Sequence, residues 1–114
     1  MPAISKENQV VTLINAFTVE PENQQKLVDM LLEATEKTMG RIPGFVSANI
    51  HKSLDGKRVV NYAQWRSKED FEAMTADPKA REHMKPIMEI AIADFHLYEV
   101  IETFDAPQST SRTA

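Results

Sequence analysis

The chain has 114 residues, the usual size of one domain. Its net charge of −4 at pH 7 argues against nucleic acid or an anionic membrane as a partner, since both need clustered Lys and Arg. It contains no cysteine, which excludes disulfides, thiolate nucleophiles and cysteine-ligated metals. No apolar run approaches the roughly 20 residues that span a bilayer, and residues 1–9 carry no secretion signal, so we expect a cytoplasmic protein with no membrane partner.

The first part of the chain predicts a strand followed by a helix. Residues 10–19 are rich in β-branched and aromatic residues and contain neither Gly nor Pro, which indicates a strand. Pro21 suits the first turn of a helix. The positions that continue this helix at helical spacing are Leu27, Leu31, Ala34 and Thr38. Gly40 is then expected to end it.

A hairpin follows. After a turn at Pro43-Gly44, residues 45–53 and 58–65 predict two strands joined at Asp55-Gly56, a common hairpin turn sequence. The first part of the chain therefore reads β-α-β-β.

The length of the hairpin loop decides which face carries His51, because a shift of one residue reverses every side chain. A two-residue loop at Asp55-Gly56 pairs Ile50 with Asn61 and sends His51 to the opposite face. A loop one residue longer pairs Asn49 with Asn61 and brings His51 to the Asn61 side. We expect the longer loop, because it leaves a smooth apolar surface for a dimer, formed by Val46, Ala48 and Ile50.

The second half of the chain predicts a helix in two parts. Ser67 with Asp70 three residues later resembles a capping box and opens a helix that carries Phe71 and Met74. Asp77-Pro78 restarts the helix as N-cap and first residue.

The chain is expected to leave this helix near a second proline. Pro86 should kink or break the helix before residues 87–92. Residues 95–104 then predict the fourth strand. Residues 105–114 are polar and are expected to form a disordered tail, and residues 1–8 an N-terminal arm.

These elements indicate an α+β domain over residues 9–104. They follow one another along the chain as β-α-β-β-α-β, and the four strands are expected to form one antiparallel sheet. Both faces of the sheet are largely apolar, whereas two crossover helices can cover only one of them. An exposed apolar face of this size is rare in a monomer. We therefore expect a homodimer in which a second sheet covers the other face, with coverage by loops or the tail as the alternative.

Three segments resemble the antibiotic biosynthesis monooxygenase family. They are VVNYAQWRSKEDF at 59–71, NAFTVEP at 15–21 and PGFVSANIHKSLDG at 43–56. The resemblance covers the domain and implies a ferredoxin-like topology assembled as a dimeric α+β barrel. The branch that this sequence resembles most contains cofactor-independent oxygenases, which convert aromatic polyketide phenols or anthrones to quinones.

The same resemblance implies a set of pocket residues. The family's pocket positions fall on Asn61 and Trp65, and a further one on His51. A tyrosine of some members falls on Phe71, which lacks the hydroxyl, and a later basic residue falls near Lys85.

A second branch of the family degrades haem with an Asn, a helical Trp and a helical His. Asn15 matches the first of these, the Trp position falls on Met74, and the His position falls near Met84, with His83 one residue away. An offset of one residue turns a helical side chain by about 100°, which makes His83 a poor substitute.

The residues themselves also single out the asparagines. Asn61 and Trp65 share one strand face with Val59 and Ala63, and Asn15 lies between Leu13 and Phe17. A buried amide costs free energy unless it is hydrogen-bonded, so two amides in an apolar cavity suit a planar phenolic ligand. The alternative is that the amides satisfy backbone groups and Trp65 is part of the core.

No site for a metal or cofactor is recognisable. His83 lies in a charged segment and is expected to be solvated, and His96 on the last strand is expected to be structural. The three histidines lack metal-binding spacing. There is also no Gly-rich phosphate loop and no dinucleotide fingerprint.

The resulting hypothesis is a cofactor-independent monooxygenase that oxidises a small electron-rich aromatic with O₂. Asn61 and Asn15 would donate to the oxyanion, Trp65 would wall the ring and His51 would accept the proton. The remaining substrate-binding candidates are Phe71, Met74, Lys85 and His83. The alternatives are a haem-degrading oxygenase or lactone isomerase on the same fold, or a non-catalytic dimeric binding module.

Overall fold

A four-stranded antiparallel sheet with helices packed on one face forms the centre of the computed structural model, which describes residues 10–107. Short 3₁₀ turns at Pro21–Asn23 and Met39–Arg41 flank the first helix. The strands are β1 (Val11–Val19), β2 (Phe45–Lys52), β3 (Arg58–Trp65) and β4 (Ala91–Tyr98), and the helices are α1 (Gln24–Lys37), α2 (Lys68–Ala76) and α3 (Pro78–Ile90). The strand order β2-β3-β1-β4 confirms the ferredoxin-like α+β fold. The expected arm at 1–8 and the tail beyond residue 107 lie outside the described residues.

The last strand begins and ends earlier than the sequence predicts. Pro86 does not break the helix, and α3 runs to Ile90 and passes directly into β4. Pro86 and Glu82 are both exposed, so the carbonyl that loses its helical partner lies on the solvent side. β4 pairs with β1 from Ala91 opposite Val19 onward. Residues 99–107 have no regular secondary structure.

Two glycines form turns as predicted, and a third has a different role. Gly44 and Gly56 have φ angles of +93° and +83°, a conformation that favours glycine. Gly40 has no positive φ and is not the left-handed stop expected for α1, which ends at Lys37. A Cβ at Gly40 would lie 2.8 Å from the carbonyl oxygen of Thr35. This close approach is what requires glycine there.

Both predicted helix starts are confirmed. Ser67 Oγ accepts a hydrogen bond from the Asp70 amide at 3.1 Å, and the Asp77 carboxylate accepts from the amides of Lys79 and Ala80. The arrangement differs from a capping box in the partners of the Asp70 carboxylate. This carboxylate accepts hydrogen bonds from the Arg66 guanidinium at 2.8 and 3.1 Å and from Ser67 Oγ. Hydrogen bonding from Arg66 lowers the pKa of Asp70.

The helix-covered face carries the core in two clusters. The α1 cluster consists of Phe17, Val19, Leu27, Leu31, Val59, Ile87 and Ala91. The Trp65 cluster consists of Leu13, Ala63, Trp65 and Phe71. The predicted helical stripe is confirmed, because all four of its residues are buried: Leu27, Leu31, Ala34 and Thr38.

The hairpin adopts the register of the shorter loop, so the expected placement of His51 is wrong. Ile50 pairs with Asn61, and His51 pairs with Val60 on the face that no helix covers, which we call the open face. The backbone amide of Ser53 donates a hydrogen bond to the Arg58 carbonyl at 2.9 Å, which closes the hairpin. The buried Gln24 of α1 donates to the carbonyls of both Ser53 and Arg58 at 3.0 Å and fixes this pairing.

The open face is apolar in its centre and polar along β2. Ile14, Ala16, Val60 and Tyr62 lie on it, half-buried. The expected surface of Val46, Ala48 and Ile50 does not form, because Ala48 and Ile50 pack against the core clusters instead. Ser47, Gln64 and Thr12 form a buried row across three strands of the open face, and each has a polar side-chain atom without a hydrogen-bond partner.

Candidate active site

A cavity of about 330 Å³ lies between the covered face of the sheet and the three helices. Its volume falls within the range of small-molecule sites. The sheet contributes Leu13, Asn15, Phe17, Asn61, Ala93 and Phe95. The helical side contributes Leu31, Ala34, Thr35, Met39, Phe71, Met74, Thr75, Ala80, Arg81, Met84 and Met88. The walls are thus mostly apolar, with few polar groups.

Two asparagines form the polar centre of the cavity floor. Asn15 and Asn61 are direct partners in the β1–β3 register and point to the same face. Each lies where the two core clusters meet along its strand: Asn15 between Leu13 and Phe17, and Asn61 between Val59 and Ala63. The cavity therefore opens at the boundary between the clusters.

The amide oxygens of both asparagines are buried and have no hydrogen-bond partner. Leaving a buried polar atom unsatisfied costs about 1–3 kcal/mol. The structure therefore does not show the alternative arrangement, in which these oxygens would accept hydrogen bonds from backbone groups. Both residues line the cavity, so rotation of either amide would bring its oxygen to a ligand hydroxyl that could supply the missing donor.

Trp65 lies behind the cavity wall and does not line the cavity, so the expectation that it walls the substrate ring is wrong. Its side chain is buried and packs edge-on against Phe45 and Phe71, with ring centroids 5.6 and 6.3 Å apart. Phe71 does line the cavity, and Phe95 lies 6.0 Å from it on the far side. The aromatic surfaces open to a ligand are Phe71 and Phe95, and Trp65 supports Phe71 from behind.

Methionines form much of the helical wall. Met74, expected at the site, lines the cavity. So do Met39, Met84 and Met88, which makes four of the six methionines in the chain. The flexible thioether side chain adapts to ligands of different outline. This wall can therefore accommodate variation in the shape of a ligand.

His51 does not belong to the cavity. It is exposed on the open face, with Nδ1 3.2 Å from the carbonyl oxygen of Asn49. The sheet separates it from Asn61, so its expected role as the base is wrong. The physical reason is the hairpin register fixed by Gln24.

The basic residue at the cavity is Arg81, one helical turn before the expected Lys85. Lys85 is exposed, and neither it nor His83 lines the cavity. Arg81 Nε donates to the Thr75 carbonyl at 3.0 Å. A signal for Arg81 exists in the sequence, because Arg81, Met84 and Met88 share a helical face at i, i+3 and i+7.

His83 lies towards α1. Its charge contributes, after the larger effect of Lys37, to the lowered pKa of Glu33. His96 lies on the open face, 3.0 Å from Asp94. Among the described cavity-lining residues there is thus no histidine that could ligate a haem iron, and the haem-degrading alternative is not supported.

Residues 10–107 contain no group of three or more His, Asp or Glu side chains placed to hold a metal ion. Within the same range no helix is long and apolar enough to cross a bilayer.

Comparisons with known proteins agree with this geometry. The model of the antibiotic biosynthesis monooxygenase family matches residues 10–86. Tetracenomycin-F1 monooxygenase of Streptomyces glaucescens is 44% identical over 106 residues, which cover 93% of this chain and 95% of that protein.

Two solved structures are also similar. The ActVA-Orf6 monooxygenase of Streptomyces coelicolor, in complex with nanaomycin D, is 28% identical with a TM-score of 0.72, and the match covers 89% of this chain and 95% of that one. An anthrone oxidase-like protein is 29% identical with a TM-score of 0.76, over 84% of this chain and 41% of that one.

Proposed function

Because the chain belongs to the antibiotic biosynthesis monooxygenase family and is a monooxygenase, we propose that it oxidises an electron-rich aromatic, such as a phenol, hydroquinone or anthrone, to a quinone with O₂ and without a bound cofactor. The observation that carries this proposal is the pair of unpartnered amide oxygens on the floor of an apolar cavity. A phenolic hydroxyl satisfies such an oxygen, and a flat ring suits the mostly apolar walls of the cavity. The names of the relatives, a tetracenomycin-F1 monooxygenase and an anthrone oxidase-like protein, agree with this substrate class.

The reaction needs few catalytic groups from the protein, because the substrate itself reduces oxygen. Deprotonation of the phenol gives an anion that passes one electron to O₂. Recombination of the two radicals forms a carbon–oxygen bond, and protonation gives a hydroperoxide. For an anthrone, loss of the remaining C–H proton with cleavage of the O–O bond leaves the carbonyl and releases water, so CH₂ and O₂ become C=O and H₂O.

The asparagines hold the reacting oxygen. The amide oxygens of Asn61 and Asn15 accept a hydrogen bond from the hydroxyl group of the neutral phenol. Rotation of the amides presents NH₂ groups to the oxyanion that forms. Donors of this kind, placed where charge develops, lower the barrier to reaction.

No carboxylate or histidine lines the cavity among the described residues, so we propose that water accepts the phenolic proton. The asparagine amides donate to the anion, favour it and so lower the pKa of the bound phenol. This replaces the role expected for His51.

The test is oxygen consumption with a panel of hydroquinones and anthrones in buffer that contains a metal chelator. We expect one O₂ to be consumed for each anthrone converted to its quinone. Asn61→Leu serves as the site-directed control and should consume oxygen on the order of a hundred- to a thousand-fold more slowly than wild type. An enzyme with no uptake on any member of the panel would contradict the proposed substrate class.

We also propose that the enzyme works as a homodimer built on the open face and located in the cytoplasm. The centre of this face is apolar, and Ile92 and Tyr98 on β4 are 73% and 46% exposed. A second copy would cover this apolar centre.

A further inference from the structure

The cavity has one charged side chain among the described residues that line it, and that side chain is Arg81. The whole chain is acidic, with 17 Asp and Glu against 13 Lys and Arg. No Asp or Glu of the described residues lines the cavity. The local charge at the cavity is therefore opposite in sign to the charge of the protein.

The surroundings of Arg81 leave part of its guanidinium group available. Its Nε is held by the Thr75 carbonyl at the end of α2, 3.0 Å away. No carboxylate in residues 10–107 forms an ion pair with Arg81. Arg81 lines the apolar cavity and has no carboxylate partner among the described residues, so its guanidinium group is suited to an anionic group brought by a ligand.

We propose that Arg81 binds a carboxylate substituent of the aromatic substrate, so that the enzyme selects aromatic acids over their neutral analogues. This inference rests on the proposed function and extends it. The substrate would then be recognised at two places, with its phenolic oxygen on Asn15 and Asn61 at the sheet and its carboxylate on the helical wall. A planar ring system spans the apolar space between them.

The expected selectivity is moderate, because the Arg81 side chain is exposed and its ion pair is screened by solvent. We expect the acid to bind about two- to fivefold more tightly than its neutral analogue at low salt. The ratio should fall as the salt concentration rises past about 0.5 M, because the Debye length then falls to a few Å.

The experiment measures binding without turnover. The probes are anthraquinone-2-carboxylate and anthraquinone-2-carboxamide, which share a ring system and differ in charge. Quenching of Trp65 reports binding, since it is the single tryptophan and packs directly against the cavity residue Phe71. Wild type should prefer the carboxylate, and Arg81→Gln should remove the preference while its affinity for the carboxamide is retained.

Lys85→Gln is the matched control. It removes the same charge from the same helix at a position one turn after Arg81 that does not line the cavity. It should keep the full preference, and Arg81→Lys should keep part of it. Equal affinities of wild type for both probes would overturn the inference. So would equal weakening of both probes by Arg81→Gln, which would mean that Arg81 only holds α2 to α3 through Thr75.

The outcome is separable from that of the proposed function. If the carboxylate preference is present and depends on Arg81, but no phenol or anthrone drives oxygen uptake, the binding assignment stands and the reaction is wrong. If oxygen uptake is equally fast with acids and neutral amides in both wild type and Arg81→Gln, the reaction stands and the role of Arg81 is wrong.

Discussion

Replacing Asn61 with leucine should make the protein more stable and much less active. The amide oxygen of Asn61 is buried without a partner, so its removal relieves a cost of roughly 1–3 kcal/mol. Leucine has a similar size and can join Val59 and Ala63 in one apolar row. We expect the free energy of unfolding to rise by about 1 kcal/mol, which corresponds to roughly 4–8 °C in melting temperature for a domain of this size.

Turnover should fall because the same amide holds the reacting oxygen. Loss of one preorganised contact to a developing oxyanion costs about 2.7–4 kcal/mol, or on the order of a hundred- to a thousand-fold in rate. Thermal melting and oxygen uptake on the same preparation measure the two effects. The opposite signs of the two changes separate a site residue from a structural one.

Asn49→Leu is the control for this prediction. Asn49 donates from Nδ2 to the Tyr62 carbonyl at 3.0 Å and lies on the open face. Its replacement loses a satisfied hydrogen bond, worth roughly 0.5–1.5 kcal/mol, and should lower the melting temperature with turnover unchanged. If Asn61→Leu instead melts early, or if it is stabilised and keeps full turnover, the assignment of Asn61 to the site is refuted.

Further predictions concern assembly, cofactors and two local features of the fold. Wild type should sediment as a dimer at micromolar concentration, and Tyr62→Glu at the centre of the open face should give monomers; a monomeric wild type would refute the proposed assembly. Purified enzyme should show no flavin or haem absorbance and keep its oxygen uptake in chelator, whereas activity that requires added haem or metal would contradict this. Gly44→Ala should lose at least about 1–3 kcal/mol from backbone strain in chemical denaturation, because φ is +93° and the new Cβ would overlap Asp70; an unchanged midpoint would show that the turn can rearrange. Arg66 lowers the pKa of Asp70, so the Asp70 carboxylate stabilises the fold above its unfolded-state pKa of about 3.9 and loses this contribution as pH falls through the lowered folded-state pKa. Asp70→Asn should therefore be less stable than wild type to urea at pH 7 and converge with it near pH 2, and a gap that persists in acid would point to a cause other than charge.

The features that local sequence encodes were predictable. The helix starts at Ser67 and Asp77 depend on side chains two or three residues from the amides they cap, so their signals are short-range. The common face of Leu13, Asn15 and Phe17 follows from strand alternation alone. For this reason both asparagines could be assigned to one cavity before the structure was known.

The features that depend on distant contacts were not predictable. His51 faces the open side because the hairpin pairs Ile50 with Asn61, and in this register Gln24 donates to the carbonyls of Ser53 and Arg58, 29 and 34 residues away. Arg81 was not predicted at the cavity, because the family's basic residue falls near Lys85 and Arg81 lies in a charged segment with Glu82 and Lys85. In α3 Arg81 lines the cavity together with Met84 and Met88.

The two asparagines account for both the position of the cavity and its chemistry. They face each other across β1 and β3 at the level where the α1 cluster and the Trp65 cluster would otherwise join. Leucine at both positions would make one continuous apolar floor and remove its polar centre, with the sheet pairing left intact. The unsatisfied amides therefore impose a stability cost that the sheet, paired on both sides of them, can tolerate. On the proposed assignment, substrate preference would be set on the opposite wall, where the methionines and Arg81 can change without disturbing the strands that carry the two asparagines.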